Sequence, residues 1–347
     1  MDKHFEYEKA YKSRPHVVLL GAGASVAAIP EGDKNGMKTS VMDGFLEKLG
    51  MSEVIADLNL VTKSANLEDI YSEIAERDEY ADVRDELDIR IRNYFSEFEI
   101  PDEPTVYDFL LLSLRKKDLI ATFNWDPLLL QAYQRAVRIT TNLPDLAFLH
   151  GNVLVGYCME HPYGGNVNNR CPECGKCFLP GRLLYPIANK NYNDDPFTKD
   201  NWKALKNYLS RAYLVTIFGY SAPKTDIEAI DMLKDAWGNI HKRNMENFEF
   251  IDIQQEDVLL NTWKNFVHTH HYTYTNDFFN SSLARFPRRT TEDLFERTQN
   301  CVWTSPETPF TESMSFSDLR NIVSRLVEEE NEHKDSYITL KKVIKYL

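Results

Sequence analysis

The pattern that narrows the fold most is a series of short apolar runs, each of strand length, that stop at small or polar residues and are separated by helical-period segments. His16-Val17-Val18-Leu19-Leu20 stops at Gly21-Ala22-Gly23-Ala24-Ser25, and Asp118 to Phe123 stops at Asn124-Trp125-Asp126. Leu146 to Leu149 stops at His150-Gly151, Arg211 to Phe218 stops at Gly219-Tyr220-Ser221, and Phe248 to Ile253 ends around Asp252. Continuous apolar runs mark strands covered on both faces, and their alternation with helices is the signature of a parallel doubly wound sheet. Ligands of such sheets sit at the carboxyl ends of the strands, where all of these polar clusters fall, so one composite site is expected. The fold class is read as α/β: a Rossmann-like parallel sheet with a helical insertion and a small zinc-binding module.

The first of these strand ends reads as strand, glycine turn, helix start. Glycines there let a phosphate approach the backbone, and the free N–H groups and dipole of the helix start favour negative charge. The dinucleotide pattern G-x-G-x-x-G would need glycine at position 26, where Val26 stands, and no clear ribose-binding acid follows at the usual distance. The turn therefore points to nucleotide binding without the ordinary dehydrogenase motif, and a plain tight strand-to-helix turn stays open beside it.

Between Thr39 and Ile100 the period becomes helical. Ser40 and Asp43 are spaced as a capping box, and Leu67, Ile70, Tyr71, Ile74 and Ala75 keep the 3–4 spacing. Val83 to Phe98 predicts a further helix, and Val106 to Leu114 another after Pro101 and Pro104. The expected organisation is a Rossmann-like part from residues 1–30, 101–157 and 205–290, a helical insertion at 31–100, a zinc-knuckle module at 158–204 and a C-terminal helical extension at 291–347.

Four of the five cysteines, Cys158, Cys171, Cys174 and Cys177, fall in one stretch. Cys158-Met159-Glu160-His161 has C-x-x-H spacing, and Cys171-Pro172-Glu173-Cys174-Gly175 has the form of a zinc knuckle. Zinc prefers four tetrahedral sulfur or nitrogen ligands, which two such pairs supply. Cys158, His161, Cys171 and Cys174 form the favoured set, with Cys177 in place of His161 as the competing one. A closed set of four makes the metal structural.

Charge excludes further classes. Forty Lys+Arg against 53 Asp+Glu leave −13, so generic binding to nucleic-acid backbone is not expected. No window approaches the ~20 apolar residues of a membrane span and no secretory leader is visible, which together with the cysteine usage points to a reducing cytoplasm.

Taken in order, G-A-G-A-S at 21–25, T-F-N-W-D at 122–126, L-H-G at 149–151, the knuckle directly after it, G-Y-S at 219–221 and the late I-D-I-Q resemble the sirtuin-like NAD-binding family across most of residues 16–290. The resemblance implies NAD as ligand. Gly21, Ala22, Gly23 and Ser25 would touch phosphates and ribose, Asn124 and Asp126 the nicotinamide-ribose region, and His150 would be the base. Gly219 and Ser221 would hold the pyrophosphate side, with Asp252 near the adenosine ribose. Asn124 as a plain helix cap and His150 as a hydrogen-bonded strand-end histidine stand as the structural alternatives.

Departures from the protein-deacylating members matter as much. Ile29-Pro30 continues as Glu31-Gly32-Asp33 rather than D-F-R, Phe123 and Trp125 flank Asn124 where those members carry Q-N-[IV]-D, and their F-G-E segment has no counterpart in Leu183 to Tyr192. The chain resembles instead the divergent bacterial sirtuin-like NADases of anti-phage defence, which implies hydrolysis of NAD to nicotinamide and ADP-ribose. An NAD-dependent deacylase and a non-catalytic NAD or ADP-ribose sensor are the competing readings. A toxic hydrolase implies restraint by a homo-oligomer or by a partner protein. The apolar stripe Leu319, Ile322, Val323, Leu326 and Val327, followed by Ile338, Leu340, Val343, Ile344 and Leu347, offers a helical surface for such assembly or for packing on its own domain. His270-His271 is read as structural, because adjacent residues on a strand point apart.

Overall fold

The computed structural model describes residues 3–39, 44–64, 66–185, 195–222, 226–334, 336–340 and 342–343. Its centre is a six-stranded sheet made of β1 (His16–Leu20), β2 (Leu119–Thr122), β3 (Asp145–Phe148), β7 (Leu214–Phe218), β8 (Asn247–Ile251) and β9 (Tyr272–Thr275). The order is β3-β2-β1-β7-β8-β9 and every pairing is parallel. Chain direction across the sheet thus reverses between β1 and β7, the switch point at which doubly wound sheets open a crevice. A small antiparallel sheet, β4 (Val155–Tyr157), β5 (Gly164–Asn166) and β6 (Leu179–Pro180), follows β3, and β10 (Trp303–Thr304) pairs with β11 (Lys342–Val343).

Fourteen α-helical segments among the described residues surround this frame. They are α1 (Lys3–Lys12), α2 (Ala22–Ala28), α3 (Phe45–Lys48), α4 (Ser52–Ala56), α5 (Leu67–Ala75), α6 (Ala81–Ser96), α7 (Val106–Leu112), α8 (Leu128–Ala136), α9 (Pro196–Leu209), α10 (Ile227–Trp237), α11 (Glu256–Trp263), α12 (Ser282–Arg285), α13 (Thr290–Thr298) and α14 (Phe316–Glu332). Every residue of β1, β2, β7 and β8 is buried. Side chains alternate across a strand. Val18 and Leu20 accordingly enter one core, and Val17 and Leu19 the other. The first core takes in α3 to α8 together with Leu319 and Val323 of α14; the second is closed by Trp202, Leu233, Trp237, Leu259 and Trp263 from α9, α10 and α11.

The helical expectations between 44 and 100 hold, with α6 running Ala81–Ser96 rather than Val83 to Phe98, and α7 stopping at Leu112. The Ser40–Asp43 capping box lies outside the described residues. Two features differ from the sequence reading. The sheet has an edge strand, β9, whose Tyr-Thr-Tyr-Thr composition is only half-buried and lacks an apolar run. The C-terminal stripe is not continuous: Leu319, Val323 and Leu326 of α14 are buried against the chain's own core, whereas 336–340 is not helical and β11 follows. At about 1.5–3 kcal/mol per buried aliphatic side chain, that packing accounts for the stripe without a second chain.

A charged layer at the amino ends of the strands fastens the termini to the sheet. Lys12 Nζ pairs with Glu8 Oε1 at 2.5 Å and Glu296 Oε1 at 2.8 Å, all three residues buried. Arg288 donates to the carbonyls of Leu114 and Asn142 and to Glu330, while Arg289 pairs with both Glu329 and Glu330. His16, fully buried at the start of β1, contacts Thr290 Oγ1 at 2.9 Å and Thr216 Oγ1 at 2.7 Å. Burial lowers its pKa to about 3, with Lys117 lowering and Asp118 raising it.

The sign follows from linkage. The unfolded chain takes up a proton at His16 below about 6.5 that the folded chain refuses, so this group removes stability as pH falls from there towards 3, by up to about 1.4 kcal/mol per pH unit. Asp88, pushed up to about 6 by burial, acts in the opposite sense between 6 and the ordinary carboxylate range. The two are separated by comparing variants: the stability advantage of wild type over His16→Gln should shrink from pH 7 to pH 5 in urea titrations. A pH-independent difference would show that His16 takes up protons in the fold as it does in the unfolded chain.

Candidate functional site

The switch-point crevice is built by close approach of two turns. Gly21, at the end of β1, and Gly219, at the end of β7, pack so tightly that a Cβ at Gly21 would lie 2.5 Å from Gly219 O, and one at Gly23 would lie 2.8 Å from Gly219 Cα. Gly219 itself has φ +60, and a Cβ there would meet Ala24 N at 2.4 Å. No other residue fits these three places. Gly21 N–H donates to Phe218 O and Gly23 N–H to Gly219 O, each at 3.0 Å. Both amides expected to face phosphate are thus engaged by the neighbouring loop, and among the described residues it is the Ala22 amide at the helix start that makes no backbone bond. Ser221 is exposed beside this interlock, and Asp252, half-buried after β8, accepts from Gln254 N at 2.9 Å through Oδ1.

Beneath the glycine turn lies a closed polar network. Asn124 Nδ2 donates to Gly21 O at 2.8 Å, to Ser25 Oγ at 2.9 Å and, more weakly, to Tyr107 OH at 3.3 Å. Ser25 Oγ donates to Asp126 Oδ2 at 2.6 Å and meets Tyr107 OH at 2.8 Å. Because a backbone carbonyl only accepts, Gly21 O fixes the amide's orientation. Its NH2 group is consumed inside the protein, and Oδ1 accepts no bond among the described residues. In this geometry what the Asn124 side chain has left to offer is acceptance through Oδ1. Asp126 is buried, with Oδ1 receiving Leu128 N at 3.1 Å at the start of α8, and burial raises its pKa against the lowering effect of Ser25 and backbone donors. Burial, with Asp126 nearby, also raises Tyr107, so its hydroxyl stays neutral.

His150 occupies the end of β3, next to Asn124 in register, since Thr122 pairs with Phe148 two residues earlier on both strands. The ring is buried edge-on against Phe123 at 4.9 Å, and Phe123 stacks on Tyr220 at 4.1 Å. His150 Nε2 lies 3.8 Å from Asp226 Oδ1, and Asp226 Oδ2 receives Tyr220 OH at 2.9 Å. Asp226, Tyr220 and Tyr107 were not singled out from the sequence. Tyr220 stood inside the G-Y-S motif, but Tyr107 and Asp226 belong to α7 and to the approach to α10, and only the fold brings them here.

The zinc expectation finds its geometry in Cys158, His161, Cys171 and Cys174, whose donor atoms all lie within 4.8 Å of one another. Cys158 Sγ is 3.6 Å from both His161 Nδ1 and Cys174 Sγ, and Cys171 Sγ is 3.7 Å from His161 Nδ1. A tetrahedron with Zn–S near 2.3 Å and Zn–N near 2.0–2.1 Å has edges of about 3.5–3.8 Å, so the donors fit zinc. Cys177 is exposed and outside the group, which decides between the two expected sets. The knuckle turn is made by Gly175 at φ +70, whose N–H returns to Cys171 O at 2.9 Å. Burial would raise the Cys171 thiol, yet the amides of Cys174 and Glu173 and the adjacent sulfurs bring it down to about 7, towards the thiolate a metal requires. Glu173 Oε2, 3.7 Å from His161 Nε2, supplies the outer carboxylate that commonly orients a ligating histidine.

Metal analysis should find a single zinc per chain. His161→Ala, Cys171→Ser and Cys174→Ser should each lose it and lower the melting temperature, whereas Cys177→Ser should keep both. A fully folded Cys174→Ser protein without metal would refute a structural role.

No family model matches the chain, and no curated protein matches it. Among solved structures it is similar to Sir2Tm bound to a propionylated peptide, with 15% identity, TM-score 0.36, and 87% of this chain and 99% of that chain covered. It is similar also to a Sir2–p53 peptide–NAD+ structure, with 17% identity, TM-score 0.36, and coverage of 84% and 98%. A third, a Sir2 homologue complexed with ADP-ribose, has 14% identity, TM-score 0.37, and coverage of 87% and 98%.

Proposed function

We propose that this chain is an NAD+ glycohydrolase, cleaving NAD+ to nicotinamide and ADP-ribose. The observation that carries the reading is the placement of the Asn124 acceptor and the His150 imidazole at register-matched ends of β2 and β3, beside the crevice that opens where the sheet changes direction. Gly21, Ala22 and Gly23 with Gly219 and Ser221 would line the phosphate side, and Asp252 the adenosine side, while Ser25, expected at the phosphates, is buried in the network beneath.

In this mechanism the glycosidic bond to nicotinamide breaks with its electron pair going to the leaving ring nitrogen, and water adds to the oxocarbenium-like carbon. The water's proton goes to His150. Asp226, 3.8 Å away, favours the imidazolium that forms, and Tyr220 OH holds that carboxylate in place. Asn124 Oδ1 accepts from the attacking water and orients it. Asp126, Ser25 and Tyr107 act one step back, as positioning residues that occupy the Asn124 NH2 and leave only its carbonyl side available. Zinc takes no part, since four protein ligands close its shell. From the motif resemblance we infer further that such an activity serves as a regulated effector of bacterial anti-phage defence, held in check by a partner. No helix among the described residues is long and apolar enough to cross a membrane.

Purified protein incubated with NAD+ should release nicotinamide without any acylated peptide. Asn124→Ala should abolish release while retaining fold and zinc, and His150→Ala should slow it by roughly 10²–10⁴-fold. Tyr107→Phe should lower kcat with KM for NAD+ little changed. Release that depends on an acylated peptide would make the chain a deacylase, and tight NAD+ binding without turnover would make it a sensor.

A further inference from the structure

We propose that a cavity remote from the crevice, between the α12–α13 turn, the loop at 305–308 and α14, binds a small ligand bearing a multiply charged oxyanion, phosphate or carboxylate. The cavity measures about 430 Å³, within the range of ligand pockets. Arg288, whose neighbours Phe286, Pro287 and Arg289 line it, bonds the carbonyls of Leu114 and Asn142 that precede β2 and β3, so the cavity belongs to the opposite end of the sheet from Asn124 and His150.

The chemistry of its walls is specific. Arg289 is committed, with Nη1 on Glu330 at 2.6 Å and Nη2 on Glu329 at 2.7 Å. Arg285, the last residue of α12, and Arg325, on α14, line the same cavity and make no ion pair or side-chain hydrogen bond among the described residues. Ser305 and Thr308 line it too, and their side chains make no hydrogen bond among the described residues. With Glu329 paired to Arg289, Glu307 is the one carboxylate without an ion pair among the described lining residues, against the exposed guanidiniums of Arg285, which lies over the Phe286 ring, and of Arg325. That local excess of positive charge stands in a chain of net charge −13. Guanidinium forks match carboxylate and phosphate oxygens in pairs, and two approaching from different elements suit a ligand with more than one charged oxygen.

The walls are also held. Ser281 caps α12, Phe310 N–H donates to Ala284 O at 2.7 Å beside the loop, and Ser315 with Asp318 forms a capping box at the start of α14. Phe286 and Leu326 are buried at the cavity's apolar side, which excludes water from part of a bound ligand. The geometry needs no rearrangement to receive one.

The test is calorimetric titration of the full chain with pyrophosphate and, separately, with citrate. Saturable binding of at least one is expected, and the tighter of the two tells a phosphoryl ligand from a carboxylate one. Arg285→Gln/Arg325→Gln should weaken it at least tenfold, as should the cavity-filling Ser305→Trp, with circular dichroism and zinc content unchanged. Anion held by the crevice instead would bind the Arg285→Gln/Arg325→Gln variant as it binds wild type, which keeps the two sites distinguishable. Absence of saturable binding of either anion at millimolar concentration, or equal affinity in the double arginine variant, would overturn the proposal.

Discussion

The contact on which the molecule's functional end depends is backbone against backbone: the turn after β1 pressed onto the turn after β7. Parallel pairing of these strands brings Leu20 opposite Phe218, and continuing the ladder by one residue places Gly21 N–H on Phe218 O. From there the two turns meet at distances that no side chain survives, 2.4–2.8 Å for the Cβ positions tested at Gly21, Gly23 and Gly219. The same contact presents Gly21 O to Asn124, so the glycine interlock and the orientation of the Asn124 amide are one arrangement.

At the other end of the strands the reasoning is electrostatic. Lys12, His16, Asp118, Arg288, Glu292 and Glu296 are all buried, an arrangement that is costly unless each group is paired. They are paired, and across long sequence separations: Lys12 with Glu296, Arg115 with Glu292, Arg288 and Arg289 with Glu330. Opposing effects act on single groups. Burial raises Asp118 and Glu292, but the neighbouring Lys117 and Arg115 outweigh it and leave both carboxylates below their usual range. Polarity thus divides the sheet: its amino end is spent on ion pairs that hold the first and last helices, and its carboxyl end on the hydrogen-bonded networks around Asp126 and Asp226.

How much of this was legible in the sequence follows from what each element has to satisfy. β1, β2, β7 and β8 are buried on both faces, so they are mostly apolar and stood out, although β8 also buries Asn247 and Glu249. β9 is an edge strand with alternating Tyr and Thr, and its identity comes from pairing with β8, which no local pattern records. The zinc ligands were legible because a knuckle sets its cysteines three positions apart, here Cys171 and Cys174, with a glycine directly after the second, whereas the choice of His161 over Cys177 needed the fold of the β4–β5–β6 sheet. Asn124 and His150 were found as strand-end residues, while Tyr107 and Asp226 were hidden, being brought in from helices distant in sequence. Of the two readings of the C-terminal stripe, packing on the chain's own domain is the one seen for Leu319 and Val323 of α14, which lie in the first core.

Tyr107 shows why the helical region and the sheet cannot be treated as separate in function. Ser25 has one proton and two lone pairs. With that proton given to Asp126, Ser25 must receive from both Asn124 and Tyr107, so Tyr107 is the donor in their contact and its own lone pair faces the Asn124 NH2. Every hydrogen in the set then has a single assignment, beginning at the buried Asp126 and ending at an amide that has no freedom to flip. Replacing Asn124 by aspartate would put a second carboxylate beside Ser25 and Gly21 O, two acceptors facing an acceptor, and the network would have no proton to bridge them. The donor half of the carboxamide is therefore consumed inside the protein while its carbonyl oxygen accepts no bond among the described residues, which ties the hydrolytic chemistry proposed above to the packing of α7 against the first turn of the sheet.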